Sequence, residues 1–185
     1  MSKKTFITSD HHFFHRNIIK YCNRPFVDEY EMNKVLIENW NKVVSHGDTV
    51  IHLGDFFAGL KGRRKEAIEL VAKLNGTKYL ILGNHDHFTK NEFKEMGFKF
   101  VGDYLIKGNF LFTHYPAVVD EKYPHIGNEF SKKIFESNDI LTIFHGHRHL
   151  PNPNRTEFQN HVNVGVDANN FTPIDLMELL KKRKI

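Results

Sequence analysis

The chain lacks the features that stabilise secreted domains and that anchor proteins in membranes. Its 185 residues include one cysteine, Cys22, which excludes an internal disulfide and favours a reducing compartment. No apolar run approaches the roughly 20 residues that span a bilayer. The N-terminal Met-Ser-Lys-Lys leads into a short apolar segment rather than a secretory signal. We therefore expect a cytoplasmic protein with no membrane partner.

The sequence also carries little excess charge. Its net charge is +4, and its isoelectric point is about 9.0. A nucleic-acid partner is compatible with this mild basic excess, but the excess does not indicate one. The hydrophobic content of 40% and the length are ordinary for one globular domain, which we expect to span residues 1–185. The oligomeric state is left open.

Histidine is the residue that the chain has in plenty, with 13 copies spread along its length. Many of them, together with carboxylates and one amide, directly follow short apolar segments that are typical of buried strands. Each apolar segment is followed by its own polar residues. The segments, with the residues that follow them, are 5–8 (Asp10 and His12), 50–53 (Asp55), 79–82 (Asn84, His85 and Asp86), 110–113 (His114) and 140–144 (His147 and His149). Because ligand-binding groups collect at the carboxyl ends of strands in α/β sheets, the pattern indicates a metal site.

The order of elements predicts an α/β fold with a mixed sheet arrangement. Strands at 5–9, 49–53 and 77–82 alternate with helices at 28–44 and 63–74, which implies parallel strands joined by right-handed crossovers.

Several local details follow from turn and cap signals. Asp28 is expected to cap the first long helix, and Ile68 is expected on the buried face of the second. Strands on both sides of Gly108 are expected to form an antiparallel hairpin. Thr172 and Pro173 are expected to start the last helix.

Taken together, these motifs resemble the calcineurin-like metallophosphoesterases, over nearly the whole stretch from Asp10 to His149. The resemblance is strongest to the small, capless bacterial and phage members, through His-Phe-x-His-x-Asn-Ile-Ile at 12–19 and Asn-Val-Gly-Val-Asp at 163–167. It implies a four-layer αββα sandwich, in which two mixed β-sheets are flanked by helices. A dinuclear metal site is then expected at the C-terminal ends of the strands.

The resemblance also implies which residues bind the metals. In chain order these ligands are Asp10, His12, Asp55, Asn84, His114, His147 and His149. Asp55 is expected to bridge two divalent ions, with Asp10, His12 and His149 completing the first ion's ligands. Mixed imidazole and carboxylate ligation suits transition metals, so we expect Mn²⁺ first, with Fe, Zn, Co or Ni as alternatives.

The same resemblance predicts a reaction. A hydroxide held between the two ions is expected to attack phosphorus, while His85 protonates the leaving oxygen and Asp86 orients the His85 ring. The predicted function is hydrolysis of a nucleotide or another small phosphodiester. A phosphomonoesterase or protein phosphatase is the alternative enzyme, and a binding module that has lost the chemistry is the alternative of another class.

The loop at residues 11–26 has two open interpretations. His15, Asn17 and Arg24 are candidates for substrate binding, since they follow the first ligands, but they are equally compatible with a purely structural loop. His11 also departs from the family pattern, which has a small residue such as Thr at this position. The roles of four histidines are left undecided by the sequence: His11, His52, His87 and His145.

Overall fold

The computed structural model describes residues 2–58, 62–118, 128–136, 139–150 and 160–185. Pro151-Asn152-Pro153-Asn154, which the sequence predicts to be a loop, and His125, which it favours as a surface residue, lie outside these ranges. The described strands are β1 Thr5–Thr8, β2 Thr49–His52, β3 Thr77–Ile81, β4 Phe98–Gly102, β5 Tyr104–Lys107, β6 Phe110–Thr113, β7 Thr142–His145, β8 His161–Asn163 and β9 Ile174–Asp175. The described helices are α1 Arg16–Tyr21, α2 Glu29–Val43, α3 Arg64–Lys73, α4 Lys90–Glu95, α5 Glu129–Glu136 and α6 Leu176–Arg183.

The strands form two mixed sheets. The first has the order β4-β3-β2-β1-β9, with β1 to β4 parallel and β9 antiparallel to β1. The second has the order β5-β6-β7-β8, with β6 to β8 parallel and β5 paired to β6 as the predicted hairpin. The parallel strands of each sheet therefore end at a common edge.

Alternation along the strands distributes side chains between two faces of the first sheet. Phe6, Val50 and Leu80 pack with α2, α3 and α4 in one apolar cluster. Their neighbours Ile7 and Ile51 face the second sheet and pack with Phe112 and Phe144 in another cluster.

The outer face of the second sheet is covered by α5. Leu111 and Ile143 pack there with Ile134 of that helix. Helix, sheet, sheet and helix thus form four layers, and the predicted αββα sandwich is confirmed.

Helix α2 forms as the sequence predicts. The Asp28 side chain accepts hydrogen bonds from the backbone N–H groups of Tyr30 and Glu31, which satisfies donors that a helix start leaves unpaired. Met32, Leu36 and Trp40 are fully buried along one face, as expected for an amphipathic helix.

Three local predictions are wrong or incomplete. Ile68 is 40% exposed, because Ala67, Leu70 and Val71 form the buried face of α3 instead. Strand β4 was not predicted at all. The last helix begins at Leu176 rather than near Thr172, with the Asp175 side chain as its cap. Residues 174–175 are held extended by antiparallel pairing with β1, so the helix starts after them.

No described helix has the length and apolarity to cross a bilayer.

Candidate metal centre

The predicted ligands meet where the parallel strands of both sheets end. Asp10 and Asp55 follow β1 and β2, and the Asp10 N–H donates to the Gly54 carbonyl at 3.0 Å. His114 follows β6, and its Nδ1 hydrogen-bonds to the Leu53 carbonyl at 2.7 Å. The two sheets are joined at this edge by a bridge between Ser9 and Gly165.

The side chains form two potential metal-binding groups that share Asp55. In each group, one nitrogen or oxygen per residue lies within 4.8 Å of the others. The groups are Asp10, His12, Asp55 and His149, and Asp55, His114 and His147. Two cations held close together need a shared anionic ligand, and Asp55 has the position for it.

Interatomic distances show how closely the donors converge. His12 Nε2 lies 3.2 Å from His149 Nε2 and 3.3 Å from Asp55 Oδ2. His114 Nε2 lies 3.5 Å from Asp55 Oδ2 and 3.1 Å from Asn84 Oδ1. Asn84 is exposed, and this contact places its oxygen beside the second group.

The backbone at the ligands is held in an unusual conformation. Five of the seven predicted ligands have a positive φ, namely Asp10 (61°), His12 (51°), Asp55 (52°), His147 (68°) and His149 (44°). Non-glycine residues adopt this region uncommonly, and such outliers cluster at functional sites. The tight backbone turns at these residues direct side chains from several loops toward the candidate metal centre.

Two glycines allow the loops to approach the carboxylates closely. A Cβ atom on Gly83 would collide with the Asp55 carboxylate, and one on Gly146 would collide with Ser9 Oγ and the Asp10 carboxylate. Any larger residue at either position would displace a predicted ligand.

The electrostatics suit cation binding. Burial lowers the pKa of His12 to about 4, so its imidazole is neutral and has a lone pair for a metal. Burial would raise the pKa of Asp55, but the hydrogen bond with His12 and the neighbouring His114 together hold it well below its usual range. An ionised Asp55 carboxylate beside the neutral His12 imidazole fits a divalent transition ion.

A buried ion pair supports the first group from behind. Asp167 Oδ2 lies 2.8 Å from His149 Nδ1, which leaves His149 Nε2 directed at the other ligands. Arg24 donates from Nε and Nη2 to the two carboxylate oxygens of Asp167, at 2.8 Å each. It also donates to the backbone carbonyls of Asp10 and His11 at 2.7 and 2.9 Å. Carboxylates behind metal-binding histidines commonly fix the ring and its tautomer.

This network corrects the prediction that Arg24 binds substrate. Arg24 is 4% exposed, and its guanidinium is directed into the protein, where it ties the first ligand loop to Asp167. Asp167 itself was not among the predicted site residues. The signal that could have found it is the Asn-Val-Gly-Val-Asp motif at 163–167, whose final carboxylate had no assigned role.

The predicted acid, His85, lies over the first group. Its ring centroid is 5.0 Å from that of His12, and its backbone N–H donates to Asp55 Oδ1 at 2.8 Å. The Asp86 carboxylate accepts hydrogen bonds from the N–H groups of Gly83, Asp55, Phe56 and Phe57.

These contacts change the expected role of Asp86. Among the described residues, the structure gives no hydrogen bond between its carboxylate and the His85 ring. Asp86 holds together the two loops that carry Asp55 and His85, and it therefore positions His85 through the backbone.

The two remaining loop candidates differ in position. The His15 ring is half-buried, 5.3 Å from the His12 ring and 5.8 Å from the His85 ring, so it borders the site. Asn17 is exposed on α1, and no described contact brings it to the ligands.

The undecided histidines are mostly interior. His52 Nδ1 accepts from the Gly54 N–H at 3.2 Å, and its Nε2 lies 2.9 Å from His11 Nδ1. His11 is buried and stacks on Phe13 at 5.1 Å between ring centroids. His145 is 4% exposed and lies in β7.

Fold and site together define a class of protein, the α/β sandwiches whose two mixed sheets present a candidate two-metal centre at one edge. A family model, the calcineurin-like phosphoesterase superfamily domain, matches residues 4–173. The chain belongs to this superfamily of metal-dependent phosphoesterases.

Individual proteins are similar to this chain over most of its length. An uncharacterized protein of Methanocaldococcus jannaschii is 37% identical over 190 residues, covering 99% of this chain and 94% of the relative. A protein of unknown function from Aquifex aeolicus has a TM-score of 0.76 at 29% identity and covers 98% of this chain and 100% of that one. Nuclease MPE of Pseudomonas putida has a TM-score of 0.51 at 13% identity, covering 86% of this chain and 74% of that chain, and shows the fold alone.

Proposed function

We propose that this protein hydrolyses phosphodiesters and that its substrate is a nucleotide or another small diester. The observation that carries the proposal is the shared position of Asp55 in two metal-binding groups, with the His85 ring beside them. This arrangement combines cation binding with a proton donor at one point on the surface.

The seven predicted ligands would hold two divalent ions, with Mn²⁺ as the proposed native metal. When bound, such ions lower the pKa of water and neutralise charge on phosphate oxygens. The protein's own contribution is to keep its donors in place before substrate arrives. The positive-φ turns, the glycine contacts and the Asp167–Arg24 pair all serve this purpose.

His85 is proposed to give a proton to the leaving oxygen. Its backbone N–H donates to Asp55 Oδ1, which keeps this part of the loop next to the shared carboxylate, and the residue is half-buried. His15, next to both His12 and His85, is proposed to contact a phosphate oxygen or the group attached to it.

Two considerations favour a diester over a monoester or a phosphoprotein. At 185 residues, the chain has little room for the additional surfaces that recognise a protein substrate. The Pseudomonas protein of the same fold is a nuclease, and this shows that the fold can carry diester cleavage. Nucleic acid is therefore a possible substrate that the test should include.

The test compares a diester with a monoester that has the same leaving group. Protein stripped by a chelator and reconstituted with Mn²⁺ should hydrolyse bis(p-nitrophenyl) phosphate faster than p-nitrophenyl phosphate, and the stripped protein should hydrolyse neither. Preference for the monoester would favour a phosphatase. Failure to hydrolyse either compound, despite two bound ions, would favour the non-catalytic module and contradict the proposal.

A further inference from the structure

A cavity opens beside the candidate metal centre, and the proposed hydrolysis does not itself require it. Its volume is about 400 Å³, within the range of roughly 300–1,000 Å³ that is typical of small-molecule sites. It lies between the end of β3, the end of β6 and the start of α5. The lining residues that matter here are Gly83, Thr113, Tyr115, Asn128, Phe130 and Ser131.

The cavity adjoins the metal centre through two of its lining residues, Tyr115 and Gly83. Tyr115, which lines it, has its ring centroid 4.6 Å from that of His147 and 4.9 Å from that of His114. Gly83 lines it from the other side and directly precedes Asn84. A phosphate bound at the second group would therefore have its substituent at the mouth of this cavity.

Two aromatic rings face the cavity from opposite elements. Phe130 of α5 is 51% exposed, although a phenyl ring of this size is normally better covered in a stable domain. Tyr104 of β5 packs edge-on against it, at 5.7 Å between centroids, and is itself 40% exposed. Tyr115 supplies the second wall, next to the predicted ligands.

The lining also includes polar side chains. Thr113 and Ser131 are buried, at 2% and 1% exposed, and their hydroxyl oxygens lie 3.0 Å apart. Asn128 adds a carboxamide, whose oxygen accepts a hydrogen bond from the Ser131 N–H at 2.7 Å. Aromatic walls combined with hydroxyl and amide groups suit a flat ring that also carries hydrogen-bonding groups.

We propose that this cavity binds the base of a nucleotide substrate, with the base stacked on Phe130 and Tyr115 and the phosphate at the metal centre. This inference rests on the proposed phosphodiesterase function, and it narrows the substrate to diesters that carry a nucleobase. The base could belong to a mononucleotide ester or to a nucleic-acid strand, because both present the same ring next to a phosphate.

Binding and hydrolysis should be measured on the Mn²⁺-loaded protein. Calorimetry should show that thymidine 5′-monophosphate binds more tightly than methyl phosphate. In parallel, kcat/KM for the p-nitrophenyl ester of thymidine 5′-monophosphate should exceed that for methyl p-nitrophenyl phosphate, which has the same leaving group and no base.

Phe130→Ala should reduce both preferences by about tenfold, since stacking on one aromatic ring contributes roughly 5- to 150-fold per base. It should leave the methyl ester's kcat/KM unchanged. Tyr30→Ala is the matched control, because Tyr30 is a 62% exposed aromatic residue on α2, away from the cavity. It should change neither preference.

The proposal is overturned if the nucleotide binds no more tightly than methyl phosphate, or if Phe130→Ala leaves the preference intact. It is also overturned if Tyr21→Ala, at the opposite rim next to His15, removes the preference instead. If neither ester is hydrolysed but nucleotide binding still depends on Phe130, the base site stands and the proposed hydrolysis fails. Cleavage of an end-blocked single-stranded oligonucleotide, compared with the mononucleotide ester, identifies the source of the base.

Discussion

The two halves of the candidate metal centre are built differently. The first half, with Asp10, His12 and His149, is backed by the interior Asp167–Arg24 pair. In the second half, His114 is held by a backbone carbonyl instead.

Among the seven predicted ligands, Asn84 of the second half is the exposed one. Asp10, His12 and His114 are buried, whereas Asn84 lies at the end of the strand that borders the open cavity. A preorganised site binds its ion with less loss of conformational freedom. We therefore expect the first half to hold its ion more tightly, while the second half exchanges its ion more readily and receives the substrate.

The largest effect should come from the residue that the two halves share. Asp55→Asn should abolish diester hydrolysis and reduce Mn²⁺ content at both positions, because a neutral amide cannot bridge two cations as a carboxylate does. Elemental analysis and steady-state rates on the same preparation measure this, with the exposed Asp139→Asn as a surface control. Full activity with one ion bound would show that the halves are independent.

His85 should contribute to the rate of hydrolysis without contributing to metal binding in either half. His85→Ala should lower kcat by about 10²- to 10⁴-fold for an alkyl leaving group, as for other positioned acids. The loss should be much smaller for p-nitrophenolate, which departs without a proton. Metal content should stay at the wild-type level, and His87→Ala, its exposed neighbour, should be close to wild type. Equal losses with both leaving groups would point to a binding role.

Arg24 should affect stability more than substrate affinity. Arg24→Met should lower the free energy of unfolding by about 3–5 kcal/mol, because it removes the guanidinium that is paired with the buried Asp167 carboxylate. Denaturant titration measures the change. A normal stability with a raised KM would restore the substrate-binding role that the structure removes from Arg24.

Asp167→Asn should weaken metal binding in the first half and leave metal binding in the second half unchanged. Carboxylates that support metal-binding histidines typically contribute 10- to 100-fold to metal affinity, so the first Mn²⁺ should bind about that much more weakly. Calorimetric titration should show the second binding step unchanged. A uniform loss at both steps would contradict the difference between the halves.

The smallest effect should come from His15, which borders the predicted ligands. His15→Ala should raise KM by a few fold while both ions remain bound, since His15 borders the ligands without joining them. Asn17→Ala, on the exposed face of α1, should leave KM unchanged and alter stability by no more than about 0.5 kcal/mol. If Asn17→Ala raised KM as much as His15→Ala, substrate would extend further along the loop than the structure suggests.

Much of the fold could be predicted because its signals are local. The Asp28 cap and the buried face of α2 depend on residues within a few turns of one another. The strand-end position of Asp55 and His114 follows from an apolar run that stops at a polar residue. The αββα sandwich came from resemblance to a family, since no local pattern specifies how two sheets stack.

The roles of interior polar residues depended on contacts between distant segments. Arg24 and Asp167 are separated by 143 positions, and neither neighbourhood shows that the two will meet. The same holds for His11 and His52, which are 41 positions apart and contact each other in the interior. By itself the sequence determined which groups would stand at the strand ends. The tertiary structure decided which of those groups face solvent and which interior residues support the predicted ligands. Burial depends on the packing of every element around the site.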